Sequence, residues 1–434
     1  MSDQSGHGPE HSGSGQTPNG KARRRSGSSL GKLLFWLVAL VAIAGGALLF
    51  MIENGMIEIA KAPEDAGQAE AEKAPKLNTS ARDFFKSGSK SDVLPGVASV
   101  APHTPWLKVK SDQVLTRIGI GSCLSQRHPQ PIWDGILRVE PRPQLFLMAG
   151  DNVYGDIRSP DAKELVQAYR DQADRPELAR ARQAMPFLAT WDDHDYGGND
   201  KGGTFAQKEA SSKLFYDFWQ MKPERAFGDG IYYARTYGPE GKRVQIIMLD
   251  TRSFRSNLKE KPKTLNQWGP YEPDDDEEKT ILGNAQWAWL EEKFSEPADV
   301  RLVVSSYQFL ADRHGFERWG LIPHERKRFM DLIYETGAHG VIMLSGDRHF
   351  GAFYQTVLKG DQRLPEMTAS SLNRSYGPSQ DGPSRLRMSE MYNQENFGLI
   401  DIDWRLRKVD LILKDMDGET LDSLTVKFDD LKID

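Results

Sequence analysis

A single cysteine, Cys123, occurs in the 434 residues, so no intramolecular disulfide holds the fold, whichever compartment it occupies. Positive charge is not in excess either: 56 Lys and Arg against 62 Asp and Glu leave a formal net charge of −6. Without a global basic field, no nucleic-acid-binding surface is indicated. No Gly-x-Ser-x-Gly elbow follows a strand-like run, which leaves a serine hydrolase poorly supported. No internal repeat is found.

The first hundred or so residues do not read as folded domain. Residues 1–32 are rich in Gly, Ser and Pro and are expected to form a disordered tail. Its basic cluster, Lys21 and Arg23 to Arg25, precedes LLFWLVALVAIAGGALLFMI at residues 33–52, a run with no charge. At about 1.5 Å per residue this run spans about 30 Å, the thickness of a bilayer core. Glu53 and Glu58 follow it. The positive-inside rule therefore predicts a single-pass cell-membrane protein with a cytoplasmic tail and an extracytoplasmic domain. A cleaved leader ending near Ala60-Lys61-Ala62 is the alternative, although the apolar run is long for one. Residues 53–114 read as a linker or stalk, and residues 115–434 as one large domain.

Within that domain, apolar runs alternate with helical stretches. Strands are predicted near 116–120, 145–149, 187–190, 231–236, 244–249, 301–305 and 341–344. Helices are predicted at 131–139, twice within 161–184, and at 205–219, 284–294 and 323–336. After His349 the chain is strand-rich, and Asp417-Gly418 marks a hairpin. The expected fold is α/β, with two sheets packed face to face and helices outside.

Polar clusters recur directly after the apolar strands, where α/β sheets bind ligands. The first is Gly121-Ser122-Cys123, whose thiolate suits zinc or iron. The second, Gly150-Asp151-Asn152-Val153-Tyr154-Gly155-Asp156, offers a carboxylate able to bridge two cations and a phenol three residues on. The third, Trp191-Asp192-Asp193-His194-Asp195-Tyr196-Gly197-Gly198-Asn199-Asp200, packs carboxylates that repel one another without a cation. The fourth, Ser345-Gly346-Asp347-Arg348-His349-Phe350, places Asp347 and His349 on one side of a chain read as extended. Two arginines, Arg252 and Arg255, follow the strand at 244–249 and are candidates for bidentate phosphate contacts; pairing with Asp250 or nearby carboxylates is the alternative. Ser371, Asn373 and Arg374 are weaker candidates for the opposite wall. Trp287, Trp289 and Leu290 are read as packing, and His314, His324 and His339 as surface or capping residues.

Together these motifs, with LDTRSFR and LGNAQWAWLEEKF, resemble the calcineurin-like metallophosphoesterase superfamily and, within it, the PhoD-like alkaline phosphatase D family. The resemblance covers about residues 115–430, without the amino-terminal β-sandwich of some members. It implies a four-layer metallophosphoesterase-type β-sandwich flanked by helices, here preceded by one transmembrane helix. It also implies iron and calcium, with zinc or manganese as alternatives. The superfamily's opening Asp-x-His is replaced by Gly121-Ser122-Cys123, as in the PhoD-like branch. By this likeness Cys123, Asp151, Tyr154, Asp193, Asp347 and His349 are the metal ligands, with Asp151 shared between sites. Gln308 stands near the position of a further ligand. The implied reaction is hydrolysis of phosphate monoesters or diesters by an activated water, with His194 assisting the leaving group. A catalytically silent, metal-stabilised surface protein that binds a partner is the competing reading.

Overall fold

The computed structural model describes residues 92–262, 268–377 and 381–433. Among the described residues no helix is long and apolar enough to cross a membrane. The run at 33–52 and the tail before it lie outside the described residues.

Along the chain come β1 (Arg117–Gly121), α1 (Ile132–Arg138), β2 (Phe146–Ala149), α2 (Lys163–Ala173), α3 (Pro176–Ala184) and β3 (Phe187–Thr190). Next are α4 (Asp193–Tyr196), α5 (Lys208–Phe218), β4 (Tyr233–Tyr237) and β5 (Val244–Met248). A short antiparallel pair, β6 (Lys259–Glu260) and β7 (Tyr271–Glu272), precedes α6 (Gly283–Ser295), β8 (Val300–Ser305), α7 (Pro323–Glu335) and β9 (Val341–Ser345). The chain ends with β10 (Gly351–Val357), β11 (Arg363–Ala369), β12 (Asn396–Asp403), β13 (Lys408–Asp415) and β14 (Thr420–Lys427).

These strands form two six-stranded sheets, ordered β14-β13-β12-β1-β2-β3 and β10-β11-β9-β8-β5-β4. β1, β2 and β3 are parallel, as are β5, β8, β9 and β11; β12 to β14 extend the first sheet antiparallel, and β4 and β10 close the second antiparallel. The two-residue side-chain period decides which core each residue joins. Ile118, Ile120, Leu147, Ile246, Met248, Leu302, Val304, Ile342 and Leu344 fill the space between the sheets. Their neighbours Phe146, Met148 and Ala189 face helices α1 to α5, while Ile247, Val303 and Met343 face α6 and α7. Three cores therefore separate four layers. Val300–Ser305 is buried throughout because both its faces are covered, which is why its centre, Leu302-Val303-Val304, is apolar without alternation.

One boundary differs from expectation. The stalk predicted to run to residue 114 is packed domain from Val93 onward: Val93, Leu94, Val100 and Trp106 join the helical core. The Trp106 indole lies 4.5 Å from Trp219 and donates to the Phe218 carbonyl at 2.9 Å. The Asp217 carboxylate accepts from the Val100 amide at 2.6 Å. These isolated apolar residues carry no periodicity, so composition alone hides them.

Candidate active site

Each polar cluster begins where a parallel strand ends. Cys123 follows β1, Asp151 follows β2, α4 follows β3, and Asp347 and His349 follow β9. Close packing brings the two sheets' strand ends together. The Thr190 hydroxyl at the end of β3 donates to the Leu249 carbonyl after β5 at 2.7 Å, and a Cβ at Gly346 would stand 2.4 Å from Ser122 Oγ. Only glycine fits there. Cys123, Asp151, Asp200, Asp347 and His349 all adopt left-handed backbone, with φ of 57°, 51°, 56°, 66° and 57°. Such a conformation costs about 1–3 kcal/mol per non-glycine residue and persists only where the surroundings impose it. Its concentration here marks sharp strand-to-loop turns that aim side chains into one place. Asp347 and His349 thus meet through turns, not through the extended alternation expected from sequence.

The cleft so formed has a volume of about 600 Å³, and Asp151, Asp193, His194, Asp200, Glu317, Asp347, Arg348 and His349 line it. Ligand-type atoms of Cys123, Asp151 and His349 lie within 4.8 Å of one another, and so do those of Asp151, Asp193 and His194. Asp151 belongs to both sets. A third set, Asp193, Asp200 and Glu317, offers oxygen alone. The Tyr154 hydroxyl donates to Asp151 Oδ2 at 2.9 Å, and Cys123 Sγ lies 3.6 Å from the same oxygen. His349 Nδ1 is bonded to the Arg374 carbonyl, which leaves Nε2 as the nitrogen for a metal, the usual orientation of an imidazole ligand. His194 Nδ1 bonds to Asp156 Oδ1 at 2.6 Å, which leaves its Nε2 for chemistry.

Electrostatics argue for cations in this cleft. Burial, with Asp151 beside it, pushes the Cys123 thiol up. Burial also raises Asp151 to about 7, against the pull of His194, and raises Asp200 to about 8 with help from Glu317. Burial lowers His349 to about 3. For His194 burial opposes the charged form, but Asp151, Asp193 and Asp156 outweigh it and raise the group to about 10. A bound cation reverses the logic for the thiol and carboxylates, since its charge stabilises their anions. The donor set fits two kinds of ion: thiol, phenol and imidazole around Asp151 suit iron or zinc, and the carboxylates of Asp151 and Asp193 on its other side suit a harder ion such as calcium.

This cluster sets the pH response of the metal-free protein. Asp151 and Asp200 have folded-state values raised above their ordinary 3.8, so their contribution to stability is present at acid pH and lost as pH rises through 7 and 8. His349, depressed from its ordinary 6.5, acts only below that value. Between about pH 6.5 and 8 the metal-free chain is therefore expected to lose melting temperature as pH rises. Saturating metal should flatten that slope and, at a hundredfold excess over Kd, add about 2.7 kcal/mol of stability. Calorimetric melting with and without chelator checks both, and a pH-independent metal-free curve counts against the reading.

Arg252 and Arg255 do not line the cleft. Arg252 is wholly buried; its Nε lies 2.6 Å from Asp192 Oδ1 and its Nη1 2.6 Å from Glu317 Oε2. Arg255 Nη2 pairs with Glu317 Oε1 at 2.9 Å. Both serve as counter-charges to buried carboxylates, which is the ion-pair alternative and not the expected phosphate contact. Arg252→Ala leaves Asp192 and Glu317 uncompensated and should cost about 3–5 kcal/mol in urea unfolding. A loss below about 1 kcal/mol would contradict this assignment.

Other candidates also settle elsewhere. Gln308 is held at both ends, by Thr368 Oγ1 at 2.9 Å and His314 Nε2 at 3.0 Å. His314 is buried, not on the surface, and burial with Arg348 beside it keeps it neutral. Asn373 ties the Ser125 loop at 2.6 Å, and the Arg374 guanidinium stacks 4.6 Å over the Tyr154 ring. Trp287 packs as expected, with Nε1 donating to Glu325 at 2.9 Å. Sequence reading gave no role to Asp156, Asp200, Glu317 or Arg348. Three of them sit inside motifs already singled out, and Glu317 has no local signal because it comes from the long β8–α7 connection.

A family model described as PhoD-like phosphatase matches residues 131–410. Alkaline phosphatase D of Bacillus subtilis (strain 168) is 24% identical over 236 residues, which span 46% of this chain and 39% of that protein. The solved structure of PhoD superposes with a TM-score of 0.56 at 15% identity, covering 75% of this chain and 70% of that one. GAP50, the anchor in the inner membrane complex of Plasmodium, gives a TM-score of 0.49 at 11% identity over 73% of this chain and 90% of its own. The family model takes in well over half of the sequence, including Asp151, the α4 cluster and the Asp347–His349 turn, and the chain belongs to the PhoD-like phosphatase family.

Proposed function

We propose that the protein is a metal-dependent phosphoric ester hydrolase, tethered by residues 33–52 with its catalytic domain outside the cytoplasmic membrane. The observation that carries the catalytic reading is Asp151, whose carboxylate belongs to two ligand sets at once. A carboxylate shared by two ligand sets can hold two cations close together, the spacing that two-metal hydrolysis uses. Cys123, Asp151, Tyr154 and His349 would hold one ion, iron or zinc; Asp151 and Asp193, joined by Asp347 as the family resemblance implies, would hold a second, calcium or manganese. Bound there, the pair lowers the pKa of a water toward neutrality and offsets charge on the phosphoryl oxygens.

The chain's own groups supply the rest. His194, oriented by the Asp156 carboxylate at Nδ1, would offer a proton from Nε2 to the departing alkoxide. Arg348, between Asp347 and His349, lines the cleft among the described residues and can face a phosphoryl oxygen. The tether rests on the uncharged run at 33–52 and the basic cluster before it.

The test uses the full chain in detergent. Metal content and visible absorption are measured beside turnover of p-nitrophenyl phosphate and bis-p-nitrophenyl phosphate, with Cys123→Ala and Tyr154→Phe in parallel. Bound metal, activity, and absorption lost in the variants support the reading. A folded, metal-free protein inactive on both esters would leave the silent surface protein in its place. Protease accessibility in intact cells tests the orientation.

A further inference from the structure

Among the described residues, the exposed aromatic side chains are Trp268, Phe316, Tyr334 and Tyr376, and three of the four line the catalytic cleft. Trp268 is 40% exposed, Phe316 38% and Tyr376 53%. They come from separate places: the turn before β7, the β8–α7 connection and the β11–β12 connection. No folding requirement explains large rings left open to water at one mouth, and such a patch ordinarily marks a binding surface.

Each ring is held in place from behind. The Arg348 guanidinium carbon lies 4.3 Å from the Phe316 centroid. The Tyr376 ring lies 4.3 Å from His349, and the Arg374 side chain bonds its hydroxyl. A Cβ on Gly382 would stand 3.5 Å from Trp268, so that indole rests against the β11–β12 connection. Rings fixed in this way bind a flat partner with little loss of conformational freedom. The cleft floor carries Asp151, Asp193, Asp200, Glu317 and Asp347, and Arg348 is already ion-paired to Asp381 at 2.7 Å. Among the described residues that line the cleft, carboxylates outnumber cationic side chains, so a second anionic group on the substrate would meet mainly like charge.

We infer that Trp268, Phe316 and Tyr376 form a specificity rim that selects phosphate esters whose alcohol arm carries an uncharged planar ring. This rests on the hydrolase reading above and adds the substrate class. Phosphate sits at the floor, and the arm leaves the cleft between the ring faces and edges. The polar side chains of Asn199 and Asn393 stand at the same mouth, where a ring with hydrogen-bonding edges can meet them.

The experiment is calorimetric titration of metal-loaded full-length protein with methylphosphonate, cyclohexylphosphonate and phenylphosphonate, which share one head group and differ in the arm. Phenylphosphonate is expected to bind about tenfold more tightly than methylphosphonate, and more tightly than the cyclohexyl compound of similar bulk. Trp268→Ala and Tyr376→Ala should bring the phenyl-to-methyl ratio near one, and Trp268→Phe and Tyr376→Phe should restore it. A general structural role would weaken all three ligands together and leave the ratio intact. Equal binding of phenyl and methyl arms, or cyclohexyl as tight as phenyl, overturns the rim. A protein that binds no phosphonate and hydrolyses neither nitrophenyl ester instead overturns the hydrolase reading on which the rim depends.

Discussion

Asp151→Asn is expected to strip metal from both ligand sets and lower kcat by at least about 10³-fold, the several kcal/mol that paired cations supply to a phosphoryl transition state. The substitution is informative because so little else changes. Asn has the shape of Asp and tolerates left-handed backbone, so the φ of 51° at this position is not the obstacle. Its amide oxygen can still accept from the Tyr154 hydroxyl, now 2.9 Å from Asp151 Oδ2. Only the charge is lost, and with it the anion shared by the two clusters. Removing a like charge from a crowded site should leave the metal-free fold as stable as before or more so. Metal analysis, melting temperature and kcat on p-nitrophenyl phosphate check the three parts together. Retention of both metals and more than about a tenth of the wild-type kcat would mean that Asp151 is not the bridge, since that loss amounts to about 1.4 kcal/mol.

The contrast with Arg252 shows what sequence can and cannot tell about this cleft. The residues that meet in the cleft were legible because cysteine, carboxylates and histidine follow apolar runs directly, and strand ends are where such folds place their chemistry. The sheets were legible for the same reason: the apolar run Leu302–Val304 and the hairpin at Asp417-Gly418 are local signals. Charge partners are not local. Arg252 and Glu317 are 65 positions apart in numbering and meet only because β5 and β8 end side by side. An arginine after a strand looks the same in sequence whether it faces phosphate or a buried Asp192. The same holds for Trp106, which packs on Trp219 from a stretch with the composition of a linker. Where a side chain's role depends on a partner far along the chain, only the fold decides it.

His194→Gln should lower kcat by about 10²–10⁴-fold on an ester whose alcohol leaves poorly, such as phenyl phosphate, and much less on p-nitrophenyl phosphate. The difference follows from what His194 is placed to do. Nitrophenolate is a stable anion and departs without a proton, whereas a poorer leaving group needs one as the bond to phosphorus breaks. Asp156, 2.6 Å from Nδ1, fixes the ring so that Nε2 is the nitrogen left for the cleft, and its carboxylate favours the protonated imidazole. Asp156→Asn keeps the shape but loses the anion, so it should show the same leaving-group dependence at about 10–100-fold, the range typical of a group that acts by orienting another. A purely structural histidine would lower turnover of both esters by one factor, as would a histidine acting mainly as a metal ligand. Equal losses on phenyl phosphate and p-nitrophenyl phosphate, with metal content reduced, would therefore move His194 from the leaving group to the metal. Unequal losses with full metal content would fix it as the acid.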